Sequence, residues 1–152
     1  MQFEDFKKGD VFESPGEVVV REKVIQYMEL FRGYADILEE YNDPEKAHLP
    51  FRKVVVPGGF TASTRAAEVL RIIRQNKVEG ERLPLHAHIE GDFDGTVEPG
   101  DQLYVRLVVK EVDIGGRNWG RVTFEANCYK RGCGKVVYPG EESFRIRKRK
   151  RG

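Results

Sequence analysis

The sequence predicts an α+β fold in which an antiparallel sheet wraps around one central helix. A helix predicted over about residues 60–75 follows the pair Gly58-Gly59 and carries small side chains in its first turns. The second half of the chain alternates apolar and polar residues, which is typical of strands with one buried face. Because one helix has a suitable apolar stripe, the economical arrangement covers that helix with the sheet.

Length and composition favour one domain. The chain has 152 residues, of which 39% are hydrophobic, enough to bury a core. We expect a single domain over residues 1–147 and a basic tail over residues 148–152. No apolar run approaches the ~18 residues that a membrane span needs, and the charged first residues lack a signal-peptide core. A cytoplasmic protein that does not bind membranes is therefore expected.

The first half predicts a short strand and then helices. Residues 17–20 are rich in valine and read as β-structure. From Arg21 onwards apolar residues recur at steps of three and four, which indicates a helix that Gly33 is expected to divide. These residues are Val24, Tyr27, Met28, Phe31, Tyr34, Ala35 and Leu38. Asp43-Pro44-Glu45 predicts another helical turn, since Asp caps well before a Pro at the first helical position. Residues 49–57 read as a loop.

The second half predicts a four-strand antiparallel meander. Apolar residues alternate over 85–93, 103–109, 122–128 and 144–146, and glycine-containing turns separate these runs. The early strand can join this sheet. Because the edges of such a sheet stay open, edge-to-edge dimerisation is expected.

The start of the central helix is a candidate binding site. Free backbone N–H groups at a helix start can hold a developing oxyanion, and two glycines let a ligand approach them closely. Gly58 and Gly59 therefore predict a site for a polarised carbonyl group.

Several segments, in order, resemble the MaoC-like dehydratases, or (R)-specific enoyl-CoA hydratases, which have the hotdog fold. The opening Phe3-Glu4-Asp5-Phe6 with Gly9-Asp10 is similar to the usual start of that family. Asp43-Pro44-Glu45 with Ala47 is similar to its Asp-Pro-Glu segment. Gly58 with Phe60-Thr61-Ala62-Ser63 matches its helix start, and residues 93–101 resemble its strand-turn block.

The resemblance implies a homodimer, or a dimer of dimers, that binds an acyl thioester of coenzyme A or of an acyl carrier. It implies reversible addition of water to a trans-2-enoyl group, with no cofactor beyond the coenzyme A of the substrate. In the family an Asp and a His five residues apart hold the water. The thioester oxygen meets the helix start, which corresponds here to Gly58, Gly59 and Phe60.

The catalytic pair carries over only in part. Anchoring on Asp43-Pro44 places the family's Asp on Asp36, where burial among apolar neighbours would strengthen it as a base. The same anchoring places the family's His on Tyr41, which could orient a water or simply pack. A second family His falls on Pro57. His48 is an alternative imidazole if its loop folds back over the helix start, or else an exposed loop residue.

Other polar residues favour ordinary roles. His86 and His88 alternate with the apolar face, so we expect them on the outer, solvated face of the sheet rather than as a metal pair, and no metal site is predicted. Arg65 and Arg71 could meet coenzyme phosphates, although exposed helical arginines are usually solubilising. Glu68 could supply an alternative carboxylate, but we expect it at the surface.

The cysteines and the tail also allow two interpretations each. Cys128 lies on an apolar face and Cys133 in a glycine turn, and reduced thiols are favoured over a bridge. Residues 145–151 carry six positive charges, and the rest of the chain has a net charge of about −5. This tail could hold phosphates or nucleic acid, but no aromatic residue interleaves with it, so a frayed end is favoured and no nucleic-acid partner is expected.

Three functions follow from these predictions. The leading one is a hydratase or dehydratase acting on an acyl thioester, with Asp36 as base and the glycine amides polarising the carbonyl. The second is an acyl-CoA thioesterase, which needs an oxyanion hole and one carboxylate. The third is a non-catalytic subunit that binds acyl thioesters.

Overall fold

The first half of the chain is helical and the second half forms a sheet. The computed structural model describes residues 1–39, 43, 45, 55–80 and 83–150. Its helical elements are a 3-10 turn at Phe3–Asp5, α1 at Arg21–Leu30, α2 at Arg32–Ala35 and α3 at Gly58–Gln75. Its strands are β1 (Val11–Glu13), β2 (Glu17–Val18), β3 (Leu85–Gly91), β4 (Gln102–Asp113), β5 (Trp119–Lys130), β6 (Val136–Tyr138) and β7 (Gly140–Arg147).

The sheet is antiparallel, with strand order β1-β4-β5-β7-β3, while β2 pairs with β4 and β6 pairs with β5. The predicted meander was wrong about β3, which pairs with β7 and not with β4. The connection after β3 first runs past β6, where the Asp94 N–H donates to the Val137 carbonyl at 3.1 Å. Only then does the chain enter β4, so β3 becomes an outer strand.

The core lies between α3 and one face of the sheet, as predicted. The alternating residues of β4 and β5 are buried, and α3 buries Val69, Ile72 and Ile73 against them. Full burial of one such side chain stabilises the fold by roughly 1.5–3 kcal/mol. The buried apolar residues of β4 and β5 are Leu103, Val105, Leu107, Val109, Val122, Phe124, Ala126 and Cys128.

The early elements differ from the prediction in detail. β1 pairs with β4 through Val11 opposite Val108, a strand of three residues that the alternation did not reveal. The helix from Arg21 is confirmed, but it ends at Leu30. Phe31 has an extended backbone (φ −121°, ψ 116°), so the break precedes Gly33 by two residues.

β1 and β3 lie at the two ends of the main strand order β1-β4-β5-β7-β3. β3 exposes Leu85 and Ile89, which are 59% and 46% accessible. An apolar, unpaired edge is a template for pairing with another chain, and the homodimer stays a prediction. None of the helices in the described ranges is long and apolar enough to cross a membrane.

Candidate functional site

The start of α3 offers two free backbone donors. Pro57 caps the helix with φ −56°, and its carbonyl accepts hydrogen bonds from the N–H groups of Phe60 (2.9 Å) and Thr61 (3.4 Å). Within the described part of the chain, no acceptor meets the N–H groups of Gly58 and Gly59. They are the first donors of an 18-residue helix, so the helix dipole adds to their attraction for a partial negative charge.

Both glycines are required by close neighbours. A Cβ on Gly58 would lie 2.9 Å from ring atoms of Phe93. A Cβ on Gly59 would lie 2.6 Å from the hydroxyl oxygen of Tyr34 and 2.7 Å from that of Tyr27. Two phenol groups therefore stand directly beside Gly59. Any larger residue at position 59 would push them away.

Aromatic rings surround this helix start. We call Tyr27, Phe31, Tyr34, Phe60 and Phe93 the aromatic rim. The Tyr27 ring packs edge-on against Phe60 with centroids 5.5 Å apart, and it lies 5.7 Å from the Tyr34 ring. The sequence pattern assigned Tyr27, Phe31 and Tyr34 to the apolar stripe of a helix. Their position beside Gly59 is a tertiary feature that the pattern does not contain.

The predicted acid–base residues are described only in part. Asp36 follows α2 and donates its N–H to the Arg32 carbonyl at 3.1 Å. Its side chain is exposed, so the expected burial of this carboxylate is absent. It lies two residues after Tyr34, whose hydroxyl reaches Gly59. Tyr41 and His48 lie outside the described residues.

The two histidines of β3 do not share a face, contrary to prediction. His86 pairs with the buried Phe144, and its ring stacks on that ring with centroids 4.4 Å apart. His88 pairs with Ser143, the residue next to Phe144 on β7, so the two histidines lie opposite neighbouring residues that point to opposite faces. A bulge between the histidines shifts the register and puts His86 on the side facing the core. The strand periodicity therefore failed at this point.

Arg65 is buried, and the prediction of an exposed, solubilising arginine was wrong. Its Nε donates to Oε1 of the buried Glu142 at 3.1 Å. Its Nη1 and Nη2 donate to the carbonyls of Ala126 (3.3 Å) and Glu90 (2.5 Å). Its guanidinium also lies 4.1 Å from the ring centroid of Tyr138. This one side chain joins α3 to β3, β5 and β7.

The pair has an unusual titration. Burial raises the pKa of Glu142 to about 7 in spite of Arg65. Oε2 of Glu142 has no hydrogen-bond partner within the described ranges, and Nε2 of His86 lies 3.2 Å away. Burial also lowers the pKa of His86, and the positive charge of Arg65 adds to this. Burial therefore favours the uncharged form of both groups, the protonated carboxyl of Glu142 and the neutral imidazole of His86.

Glu68 was expected at the surface but is buried. Its Oε1 accepts a hydrogen bond from Nη1 of Arg71 at 2.5 Å, an i,i+3 pair on α3. Oε2 of Glu68 lacks a partner in the described part of the chain. Arg71 is partly exposed and also reaches the Gly16 carbonyl at 3.4 Å.

The cysteines match the prediction. Both are free thiols, Cys128 buried and Cys133 exposed. Burial raises the pKa of Cys128 to about 12, so its thiol is inert at neutral pH. Among the described residues no group of three or more His, Cys, Asp and Glu could hold a metal ion.

Solved structures share this fold over nearly the whole chain. A MaoC-like dehydratase from Rhodospirillum rubrum is 22% identical, with a TM-score of 0.75 and 98% of each chain covered. An R-hydratase from Pseudomonas aeruginosa is 18% identical, with a TM-score of 0.71 over 99% of this chain and 92% of that one. A monoamine oxidase regulatory protein from Archaeoglobus fulgidus is 20% identical, with a TM-score of 0.77 over 97% and 95%.

These likenesses confirm the predicted architecture. The chain has the fold of MaoC-like dehydratases and R-hydratases, which is the hotdog fold. No protein-family model matches the sequence, and no curated protein matches it.

Proposed function

We propose that the protein binds an acyl thioester at the start of α3 and hydrates or dehydrates its 2-enoyl group. The observation that carries the proposal is the pair of free amides at Gly58 and Gly59, with two tyrosine hydroxyls beside Gly59. The likeness in fold to MaoC-like dehydratases and R-hydratases supports the same chemistry.

The helix start would bind the thioester carbonyl. When water adds to the β carbon of an enoyl thioester, negative charge develops on the carbonyl oxygen. The amides of Gly58 and Gly59 would donate to that oxygen, and such donors stabilise a transition state by several kcal/mol. The aromatic rim would exclude water and cover the acyl chain.

Asp36 would take the proton of the attacking water and return a proton to the α carbon. The net reaction adds H and OH across the double bond and needs no other reagent. The Tyr34 hydroxyl would orient the water or the carbonyl. Since the positions of the family's histidines are Tyr41 and Pro57 here, His48 remains the candidate for a second proton-transfer group.

The substrate would be an acyl thioester of coenzyme A or of an acyl carrier, and we propose a homodimer formed through an edge of the sheet. The exposed Leu85 and Ile89 on β3 support that edge. We propose no cofactor beyond the coenzyme A of the substrate.

The decisive experiment incubates the protein with crotonyl-CoA and, separately, with saturated acyl-CoAs. Loss of the enoyl absorbance without thiol release supports the hydratase. Thiol release from both substrates would show that the protein is a thioesterase instead. Tight binding without turnover would show that it is a non-catalytic subunit that binds acyl thioesters.

Two variants with matched controls test the site. Gly59→Ala should lower kcat/KM at least tenfold, since its Cβ displaces both hydroxyls, whereas Gly33→Ala should have little effect because its Cβ meets nothing within 4 Å. Asp36→Asn should abolish turnover while leaving thioester binding intact, and Asp113→Asn, on the far hairpin, should not. Normal turnover by Asp36→Asn would remove that residue from the mechanism.

A further inference from the structure

A cavity lies near the C-terminal end of α3, away from Gly58 and Gly59. It is a cleft of about 980 Å³, at the upper end of the range for small-molecule sites. We call it the basic cleft. Its walls are Glu4, residues 115–119 of the β4–β5 hairpin and residues 147–150 of the C-terminal segment.

Strand pairing builds this cleft. β5 begins with Trp119 opposite Arg147 of β7, and the guanidinium of Arg147 lies 4.9 Å from the Trp119 ring centroid. Lys148 then holds the hairpin, because its N–H donates to the Asn118 carbonyl at 3.0 Å and its Nζ to the Gly116 carbonyl at 2.7 Å.

The start of the basic tail is therefore fixed, contrary to the prediction of a frayed end. The Arg149 N–H donates to both carboxylate oxygens of Glu4 at 3.1 Å, and its guanidinium bonds Asp5. No aromatic residue lies among these charges in the sequence. The pairing of β5 with β7 brings one beside them, because Trp119 lies opposite Arg147 although it precedes that residue by 28 positions.

Charge in the cleft is strongly unbalanced. Five cationic side chains and one carboxylate line it. Arg149 is paired, but no hydrogen bond or ion pair reaches Arg117 or Lys150 from anywhere in the described ranges. Both side chains are exposed at the rim of the cleft. Unpaired cations around a concave surface attract a polyanion.

Trp119 indicates which class of polyanion the basic cleft binds. Trp119 is 37% exposed, and an indole face beside arginine and lysine is the combination on which nucleobases stack while their phosphates are neutralised. We propose that the basic cleft binds a nucleobase joined to a phosphate chain, with the base on Trp119 and the phosphates on Arg117 and Lys150. A free nucleotide and the end of a single-stranded RNA both carry this chemistry.

The cleft is separate from the proposed thioester site. The Arg147 N–H donates to Oε1 of Glu79, which follows the end of α3, at 2.6 Å. An 18-residue helix is about 27 Å long, and Gly58 and Gly59 stand at its opposite end. The inference therefore holds or fails independently of the thioester chemistry.

The test uses the fluorescence of Trp119, the only tryptophan of the chain. The full-length protein is titrated with ATP and with octauridylate, and binding is expected to quench the fluorescence. Quenching by ATP assigns the site to free nucleotides, and quenching by octauridylate alone assigns it to RNA; either result supports the proposal. For RNA the affinity should fall with salt, by a log–log slope of about −0.7 per phosphate contact.

A charge-matched pair of variants locates the site. Arg117→Ala/Lys150→Ala should weaken binding about tenfold and reduce the magnitude of the RNA salt slope by about 1.4, as expected for two lost phosphate contacts. Lys8→Ala/Lys135→Ala removes the same charge at exposed positions outside the cleft and should change affinity less than twofold. Trp119→Leu, followed by anisotropy of a labelled octauridylate, should also weaken binding.

Several results would overturn the proposal. If inorganic tripolyphosphate binds as tightly as ATP, the cleft does not recognise a nucleobase. Quenching by coenzyme A alone would make the cleft part of the substrate site. Binding to anionic vesicles but to neither nucleotide probe would show that the basic cleft binds membranes instead. Equal losses of affinity in the two double variants would show that binding depends only on the net charge of the protein.

Discussion

Glu142 is expected to make the stability of this protein fall as pH rises, the reverse of the usual behaviour of a paired acid. Its carboxyl is fully buried, and burial raises its pKa from the ordinary 4.5 to about 7. Between these two values the folded protein holds a proton that the unfolded chain releases. Stability should therefore be greatest below pH 4.5 as far as this group is concerned, and should fall as pH rises through 7.

The size of the effect follows from the shift. A change of about 2.5 pKa units corresponds to about 3 kcal/mol, a large part of the 5–15 kcal/mol that is typical of a domain. The contribution of its neighbour His86 to stability changes with pH in the opposite direction. Because burial lowers the pKa of His86, its contribution is present above pH 6.5 and is lost as pH falls below that value.

The variant Glu142→Gln isolates the contribution of Glu142 to the pH dependence of stability. It keeps an oxygen for Nε of Arg65 but has no proton to lose. Urea unfolding at half-unit steps from pH 4.5 to 9 should show the wild type losing about 3 kcal/mol relative to the variant across this range. Glu141→Gln is the matched control, since its side chain is 25% exposed and pairs with Lys110 outside the core.

Parallel curves for the wild type and Glu142→Gln would refute this reasoning. So would a wild type that gains stability relative to the variant as pH rises, because the pair with Arg65 would then dominate over burial. In either case the carboxyl would be ionised throughout, and the ordinary rule for paired acids would apply.

Two further predictions concern packing and thiols. Gly120→Ala should destabilise the fold by roughly 2 kcal/mol, since its Cβ would lie 2.1–2.4 Å from ring atoms of the buried Phe3. Adding Phe3→Leu to this variant should restore part of the lost Tm in thermal unfolding. An unchanged Tm for Gly120→Ala would contradict this packing. A thiol reagent should modify one cysteine in the native protein and two in urea, because Cys133 is exposed and Cys128 is buried; two fast-reacting native thiols would contradict the burial of Cys128.

Local patterns predicted most of the fold. The alternation on β4 and β5 gave the buried face, and the small residues after Gly59 identified the central helix. The position of β3 could not be predicted, because alternation says which face is buried and not which strand is the neighbour. The bulge after His86 is equally silent in the sequence, yet it moves that imidazole to the opposite face.

The candidate site depends on contacts that no local pattern contains. Tyr27 and Tyr34 fit an apolar helical stripe, and their hydroxyls are distinctive only because Gly59 lies beneath them. Arg65 and Glu68 look like ordinary surface charges of a helix. Their burial follows from the sheet wrapping around α3, which covers the face that carries them and leaves the face with Ser63, Ala67 and Arg74 exposed.

The buried ion pair and the helix start are connected through two aromatic rings. Arg65 lies over Tyr138, and the Tyr138 ring stacks on Phe93 with centroids 4.8 Å apart and an interplanar angle of 23°. Phe93 in turn is the ring that closes against Gly58. The position of this wall of the proposed site therefore depends on Tyr138.

Tyr138→Leu should for this reason weaken the binding of butyryl-CoA, an analogue that cannot be hydrated, by up to about tenfold, since one aromatic stack is worth about 0.5–1.5 kcal/mol. Tyr104→Leu is the matched control. Tyr104 also stacks on a tyrosine, Tyr129 at 5.3 Å, beneath the guanidinium of Arg131, but outside the aromatic rim. Calorimetric titration should show a loss of affinity only for Tyr138→Leu. Equal affinities would mean that Phe93 keeps its place over Gly58 without this support, and that the buried pair does not contribute to the site.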